Sequence, residues 1–198
     1  MNNESLPPKL ILASSSKYRQ NLLQRFVIPF ACHAPDVDET CRNNESPAEL
    51  AGRLAYQKAA LVSAENPQAI VIGSDQVAVF EGRSIGKPGE HSVAKAQLLS
   101  FSGKVVEFLT AVSVQYADTG FAEFHLDSTR VCFRPLREDE VERYLEAESP
   151  YDCAGAFKAE SLGITLFERI ISDDPTALIG LPLIRTAAML RRAGLNLP

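Results

Sequence analysis

Cysteine, histidine and positive charge are scattered or scarce in this chain, and each shortfall removes a class of function. Cys32, Cys41, Cys132 and Cys153 include no C-x-x-C pair and no metal-cluster spacing, so they read as reduced thiols that mostly pack. His33, His91 and His125 are also spread out, none near a cysteine or another histidine at ligand spacing, and a zinc site is not expected. With 20 Lys+Arg against 25 Asp+Glu, the net charge of −5 argues against broad binding along a nucleic-acid backbone. It leaves room for a small anion held by a few local cations. No apolar run reaches the length of a membrane span, and the opening MNNESLPPK lacks a charged region followed by an apolar one, so a cytoplasmic protein with no membrane partner is expected. Neither GxxxxGK[ST] nor GxGxxG occurs, which removes the usual nucleotide loops.

What remains is an ordinary globular composition: 198 residues, 45% hydrophobic and 23% charged. That length suits one large domain or two small lobes sharing a core. Lys9 to Ala13 reads as a short strand running into Ser14, Ser15 and Ser16, good N-cap residues for a helix through Leu22, Leu23 and Phe26. Ser46-Pro47-Ala48-Glu49 fits a capping box opening a second helix. Leu50, Leu54, Leu61, Ala51 and Ala55 form its expected apolar stripe, and it should end near Asn66-Pro67.

Ala69 to Phe80 is a β-rich run. Gly86 to Gly89 must be loop, and Ser92 to Leu99 a short helix. Val105–Tyr116 and Phe121–Phe133 are strands around a hairpin signal at 117–120. Arg137 to Ala147 reads as an acidic helix, Ile164 to Ile171 as a strand and Pro182 to Arg192 as a last helix. The alternation predicts an α/β fold with a mixed sheet flanked by helices, one compact unit over 1–198 with a cleft between two lobes.

The most informative residue is Asp75, an ionisable group inside AIVIGSDQVAVF. Gly73 and Ser74 before it mark a bend or a close approach by another group. A carboxylate there must be hydrogen-bonded, paired or metal-bound, since burying it alone costs several kcal/mol or more. Read alone, it is either a structural acid satisfied by backbone amides or a working one. Asp36, Asp38 and Glu39 crowd another polar loop, which is either solvated or part of a hard-metal site for Mg²⁺ or Mn²⁺ beside substrate phosphates. Lys58 and Lys87 each read singly as surface lysines. Arg19, one turn into the first helix, is placed to close over an anion. Together Ser14, Ser16, Arg19, Lys58 and Lys87 would make an anion cradle facing Glu39 and Asp75, the layout that phosphoryl-group hydrolysis requires. The serines have no histidine spaced to activate them, so capping explains them better than nucleophilic attack.

ILASSSKYRQNLL, APDVDET, RLAYQKA, IGSDQV, IGKP, CAGAFKAE with ITLFERI, and IGLPL resemble the successive motifs of the Maf family of nucleotide pyrophosphatases, in family order from Leu10 to Leu183. The resemblance implies an α/β fold of the inosine-triphosphatase-like kind with a deep cleft, often dimeric. It also implies metal-dependent cleavage of nucleoside triphosphates between the α- and β-phosphates. By position it makes Asp75 the proton acceptor, puts Glu39 and Asp75 near the metal, and assigns Ser14, Arg19, Lys58 and Lys87 to phosphate. Where much of the family reads SxSPRR, Lys17 replaces Pro and Tyr18 the first Arg. Tyr18, Gln76 and Glu160 together resemble the subgroup acting on 7-methyl-GTP. The physics agrees: an aromatic face attracts the cationic methylated base by about 0.5–2 kcal/mol and a carboxylate adds a charge-assisted contact, whereas Arg at position 18 would repel it. The alternatives are a sibling activity on dTTP and UTP, against which those three residues speak, and a non-catalytic nucleotide-binding regulator of cell division. Intact Asp75 and Glu39 favour an enzyme over a binder.

Overall fold

The computed structural model describes residues 8–198, so most of the opening segment read above for targeting lies outside the described residues. Strand β1 (Lys9–Leu12) leads into helix α1 (Lys17–Leu23), strand β2 (Phe30–Cys32) and the long helix α2 (Pro47–Glu65). Strands β3 (Ala69–Phe80) and β4 (Arg83–Ile85) precede helix α3 (His91–Phe101) and the hairpin β5 (Val105–Tyr116) and β6 (Phe121–Phe133). Helix α4 (Glu138–Glu148), strand β7 (Phe167–Ile171) and helix α5 (Leu183–Arg192) complete the order.

The strands form one mixed sheet ordered β2-β1-β3-β5-β6-β7, with β4 beside β3. β1 pairs in parallel with β2 and β3, as the intervening helices require, and β3, β5, β6 and β7 run antiparallel. No helix among the described residues is long and apolar enough to cross a membrane.

Local chemistry sets the element ends. Ser46 caps α2 by accepting from the Glu49 amide at 3.3 Å while Glu49 Oε2 accepts from the Ser46 amide at 2.8 Å, and Pro47 sits at the first helical position. Gly120 closes the β5–β6 turn at φ +71°. Three differences from the sequence reading stand out. β2 and β4 were not expected, being only three residues each. The expected strand from Ile164 is a 3₁₀ turn over Leu162–Leu166, and only Phe167–Ile171 pairs with β6. Leu61, assigned to the apolar stripe of α2, is 47% exposed, and the buried ridges are Leu50, Leu54, Lys58, Val62 and Ala51, Ala55, Ala59, Ser63.

The two sheet faces are packed differently. One face of β1, β3 and β5 is covered by α2, where Ala51, Ala55 and Ala59 lie against Val71, Val77 and Ala111. The other face carries two separate cores. Leu10, Leu12, Ile72, Val112 and Val114 pack with α1 and α5, and Ala78, Val106, Phe108 and Val131 pack with α3 and α4. Each fully buried Leu, Val, Ile or Phe side chain is worth about 1.5–3 kcal/mol. Between the cores the alternation turns polar: Ser74 and Gln76 on β3, Thr110 on β5 and Asp127 on β6, with Gln76, Thr110 and Asp127 in one register row. This polar belt separates the two cores.

Candidate active site

The cleft opens where the sheet is interrupted. β1 stops pairing with β3 at Leu12↔Ile72, the Ala13 amide donates to Ile72 O at 2.8 Å, and β4 takes up β3 only at Ala78↔Ile85. Gly73 to Val77 are therefore paired on the β5 side alone. A cleft of about 780 Å³ lies at this gap, within the size range of small-molecule sites. Gly73 answers to close approach rather than to a bend. The strand continues through it, and a Cβ there would sit 2.2 Å from the Ala55 carbonyl oxygen and 2.6 Å from the Ala59 amide nitrogen of α2. That seating delivers Lys58 to Asp75, two residues further along the same face.

Lys58 Nζ donates to Asp75 Oδ1 at 2.7 Å and to Glu39 Oε1 at 2.5 Å. Lys58 is 9% and Asp75 8% exposed, so the pair is buried and paired, as such charges must be. The surface reading of Lys58 is thereby corrected. Its place on the 50/54/58/62 ridge of α2 points it inward, and the two carboxylates compensate its burial. Glu39 remains largely open, its side chain 63% exposed. The Lys58 hydrogen bond, then the charges of Lys58, Lys87 and Arg19, hold the Glu39 carboxyl below its ordinary range. Each carboxylate spends one oxygen on Lys58, which leaves its other oxygen for a ligand.

Ser16 caps α1 as expected, accepting from the Arg19 amide at 3.4 Å. Ser14 Oγ accepts from the Ser16 amide at 3.1 Å and from Arg19 Nη1 at 3.4 Å, so its single hydrogen is left to donate to an anion. Arg19 Nε donates to Gly180 O at 2.9 Å, leaving most of its fork free. Burial lowers the Arg19 guanidinium from its ordinary value, while the charges of Asp75 and Glu39 oppose that shift. Lys87 lines the same cleft from the exposed loop after β4, a loop tied down by the Gly89 amide on Tyr151 O at 3.0 Å. The structure thus brings Ser14, Arg19, Lys58, Lys87, Glu39 and Asp75 to one cleft.

Tyr18, Gln76 and Glu160 line the same cleft. Gln76 Nε2 lies 2.9 Å from Thr110 Oγ1 and 3.0 Å from the carbonyls of Ala177 and Leu178. With its donors engaged, what Gln76 offers a ligand is its carbonyl oxygen. The Tyr18 hydroxyl lies 3.4 Å from an Asp152 carboxylate oxygen, and Cys153 Sγ approaches it at 3.4 Å. Burial, then the Cys153 contact, raise the Tyr18 hydroxyl well above its ordinary value, and burial pushes the Cys153 thiol up to about 11. Both stay protonated at neutral pH. Glu160 is exposed at the rim.

Sequence reasoning missed Asp152 and the backbone carbonyls of Ala177, Leu178 and Gly180. The carbonyls carry no side-chain signal, and Asp152 has no spacing that sets it apart from a surface acid.

Fold and cleft together define a mixed α/β protein whose cations converge beside a paired carboxylate at a gap in the sheet. The chain belongs to the Maf family, whose model, described as Maf-like protein, matches residues 9–193. A protein from Albidiferax ferrireducens named 7-methyl-GTP pyrophosphatase is 53% identical over 98% of this chain and 98% of its own length. Proteins of the same name from Polaromonas sp. and Xanthomonas campestris pv. campestris are each 54% identical, covering 95% and 96% of this chain and 86% and 99% of their own. The HAM1 protein from Coxiella burnetii superposes with a TM-score of 0.51 at 13% identity, covering 93% of this chain and 99% of that one, a likeness of fold.

Proposed function

We propose that the protein hydrolyses 7-methyl-GTP to 7-methyl-GMP and pyrophosphate. The observation that carries this reading is the Lys58-bridged pair of Glu39 and Asp75 beside Ser14 and Arg19, in a cleft that also holds Tyr18 and Glu160. The printed names of relatives at 53–54% identity support it.

Arg19, Lys87 and the Ser14 hydroxyl hold the triphosphate with charge-assisted bonds. Asp75 takes the proton of the water that attacks the α-phosphorus, and Lys58 fixes the carboxylate for that task. The P–O bond to the bridging oxygen breaks and pyrophosphate leaves with the electron pair, its charge met by the same cations. Tyr18 faces the cationic base and Glu160 supplies the opposite charge.

We also propose a divalent cation, Mg²⁺ or Mn²⁺, at Glu39 and Asp75. Among the described residues no group of three or more His, Cys, Asp or Glu could hold a metal by itself. Two carboxylates with one oxygen each to spare fit the other mode, in which phosphates and water complete the shell. When bound, such an ion neutralises phosphate charge. We place the reaction in the cytoplasm, in keeping with four free thiols among the described residues.

The test is pyrophosphate release measured on 7-methyl-GTP, GTP, UTP and dTTP with Mg²⁺ or Mn²⁺. The expected result is highest kcat/KM on 7-methyl-GTP. Preference for UTP or dTTP would transfer the protein to the sibling activity, and binding without turnover would make it a regulator.

A further inference from the structure

The segment between β7 and α5 lies over the polar belt, and its backbone grips both ends of the site. Ala177 O and Leu178 O accept from Gln76, Ala177 O also from Thr110, and Gly180 O from both Arg19 Nε and Ser74 Oγ. These carbonyls decide how the Gln76 amide and the Arg19 fork are turned. Something must hold the segment in turn, since a run of 3₁₀ turns has little rigidity of its own.

We infer that Asp174 is the positioning residue of this site. It is 2% exposed and uses both carboxylate oxygens inward. Oδ1 accepts from the Thr176 amide at 2.9 Å and the Thr176 hydroxyl at 2.6 Å, and Oδ2 accepts from the Ile184 amide at 2.7 Å. Thr176 Oγ1 then accepts from the Leu183 amide at 2.8 Å and lies 2.9 Å from Leu181 O. The Asp174 carbonyl accepts from the Ala177 amide at 3.0 Å and the Ser172 hydroxyl at 2.7 Å. One buried carboxylate and one hydroxyl therefore tie the start of the segment to the first turn of α5. The three working carbonyls lie between those ties. Charge-assisted bonds of this length are strong, and a buried network of this kind fixes a single geometry. Asp174 touches no substrate, so its effect passes through Gln76 and Arg19. Asp75 and Lys58 stand on β3 and α2 and bond to each other and to Glu39, with no hydrogen bond to the segment.

This inference rests on the proposed hydrolysis, and kinetics on the same nucleotide panel separate the two. In Asp174→Asn an amide must meet either Thr176 or the Ile184 amide with a donor. KM for the preferred nucleotide should rise about tenfold, discrimination between bases should fall, and kcat should fall with them, because Arg19 also meets the charge of the leaving pyrophosphate. Thr176→Val should reproduce this, and Thr176→Ser, which keeps the hydroxyl, should restore wild-type behaviour. In a Gln76→Ala background Asp174→Asn should lose little further discrimination, because both act through one amide. A folded Asp174→Asn with wild-type KM and discrimination would overturn the inference. So would equal kinetics in Thr176→Val and Thr176→Ser, or full additivity with Gln76→Ala, any of which would leave Asp174 as a cap for α5 only. Wild type preferring another base would sink the proposed substrate while leaving the KM test of Asp174 intact.

Discussion

In the proposed hydrolysis Glu160 and Tyr18 act on the charge of the base, and their roles separate from those of the phosphate cations by one kind of measurement. Glu160→Gln removes a negative partner while keeping shape, and Tyr18→Arg replaces an attractive ring with a like charge. Both should lower kcat/KM for 7-methyl-GTP more than for neutral-base nucleotides. For Glu160→Gln the loss should be about 1–3 kcal/mol, as for hydrogen bonds to charged groups. Kinetics on the four nucleotides decide this. Equal losses across all four would mean that these side chains serve the phosphates or the fold. Asp152 adds a second carboxylate within reach of the Tyr18 hydroxyl.

At the scale of elements, the site depends on how closely α2 lies on β3. Gly73→Ala would push a Cβ into backbone atoms of Ala55 and Ala59, which cannot swing aside as a flexible side chain does. The helix must shift, costing about 1–3 kcal/mol as in overpacked cores, and Lys58 would move off Asp75. Denaturant unfolding and kcat should therefore fall together, and a variant with normal stability and turnover would contradict this packing. The same element shows where sequence reading succeeds and where it stops. Helix α2 was legible from its capping box and spacing, and the long strands β3, β5 and β6 from alternation and the turn at 117–120. Lys58 was assigned to phosphate by resemblance, yet its burial was also legible. It stands four residues after Leu54 and four before Val62, on the ridge that faces the sheet. Counting Leu61 into the stripe instead hid that. β2 and β4 were not legible, since three residues hold too little alternation to register. Ile164 to Leu166 are apolar enough for a strand, but tertiary packing draws them into a 3₁₀ turn, with Leu166 buried in the core beside α3 and α4. The segment over the polar belt was visible only as the motif IGLPL, because its work is done by carbonyls that every residue carries.

Across the whole molecule, the polar belt is where buried polar groups interrupt the apolar packing between the two cores. Asp127 is its costliest member, buried with Oδ1 unpartnered among the described residues. Burial first, then the charge of Asp174 with a smaller part from Asp173, raise its carboxyl above the ordinary value. His125, 3.8 Å away, opposes them. A carboxyl raised on folding favours the native state below its unfolded pKa, and that contribution is lost as pH rises through the folded value. Asp127→Asn cannot ionise, so its Tm relative to wild type should climb between pH 4 and pH 8. A difference that stays flat with pH would show that Asp127 titrates as an ordinary surface acid.

In the proposed hydrolysis, Asp75 and its Lys58-bridged partner direct water to the α-phosphorus of a nucleoside triphosphate. Hydrolysis in ¹⁸O-labelled water tests it most directly, with the position of the label read by mass spectrometry for wild type and turnover compared in Asp75→Asn. The expected result is label in the nucleoside monophosphate and none in pyrophosphate, with turnover in a folded, metal-saturated Asp75→Asn reduced by about 100-fold or more. Label in pyrophosphate, release of orthophosphate, or near-normal turnover by Asp75→Asn would contradict it.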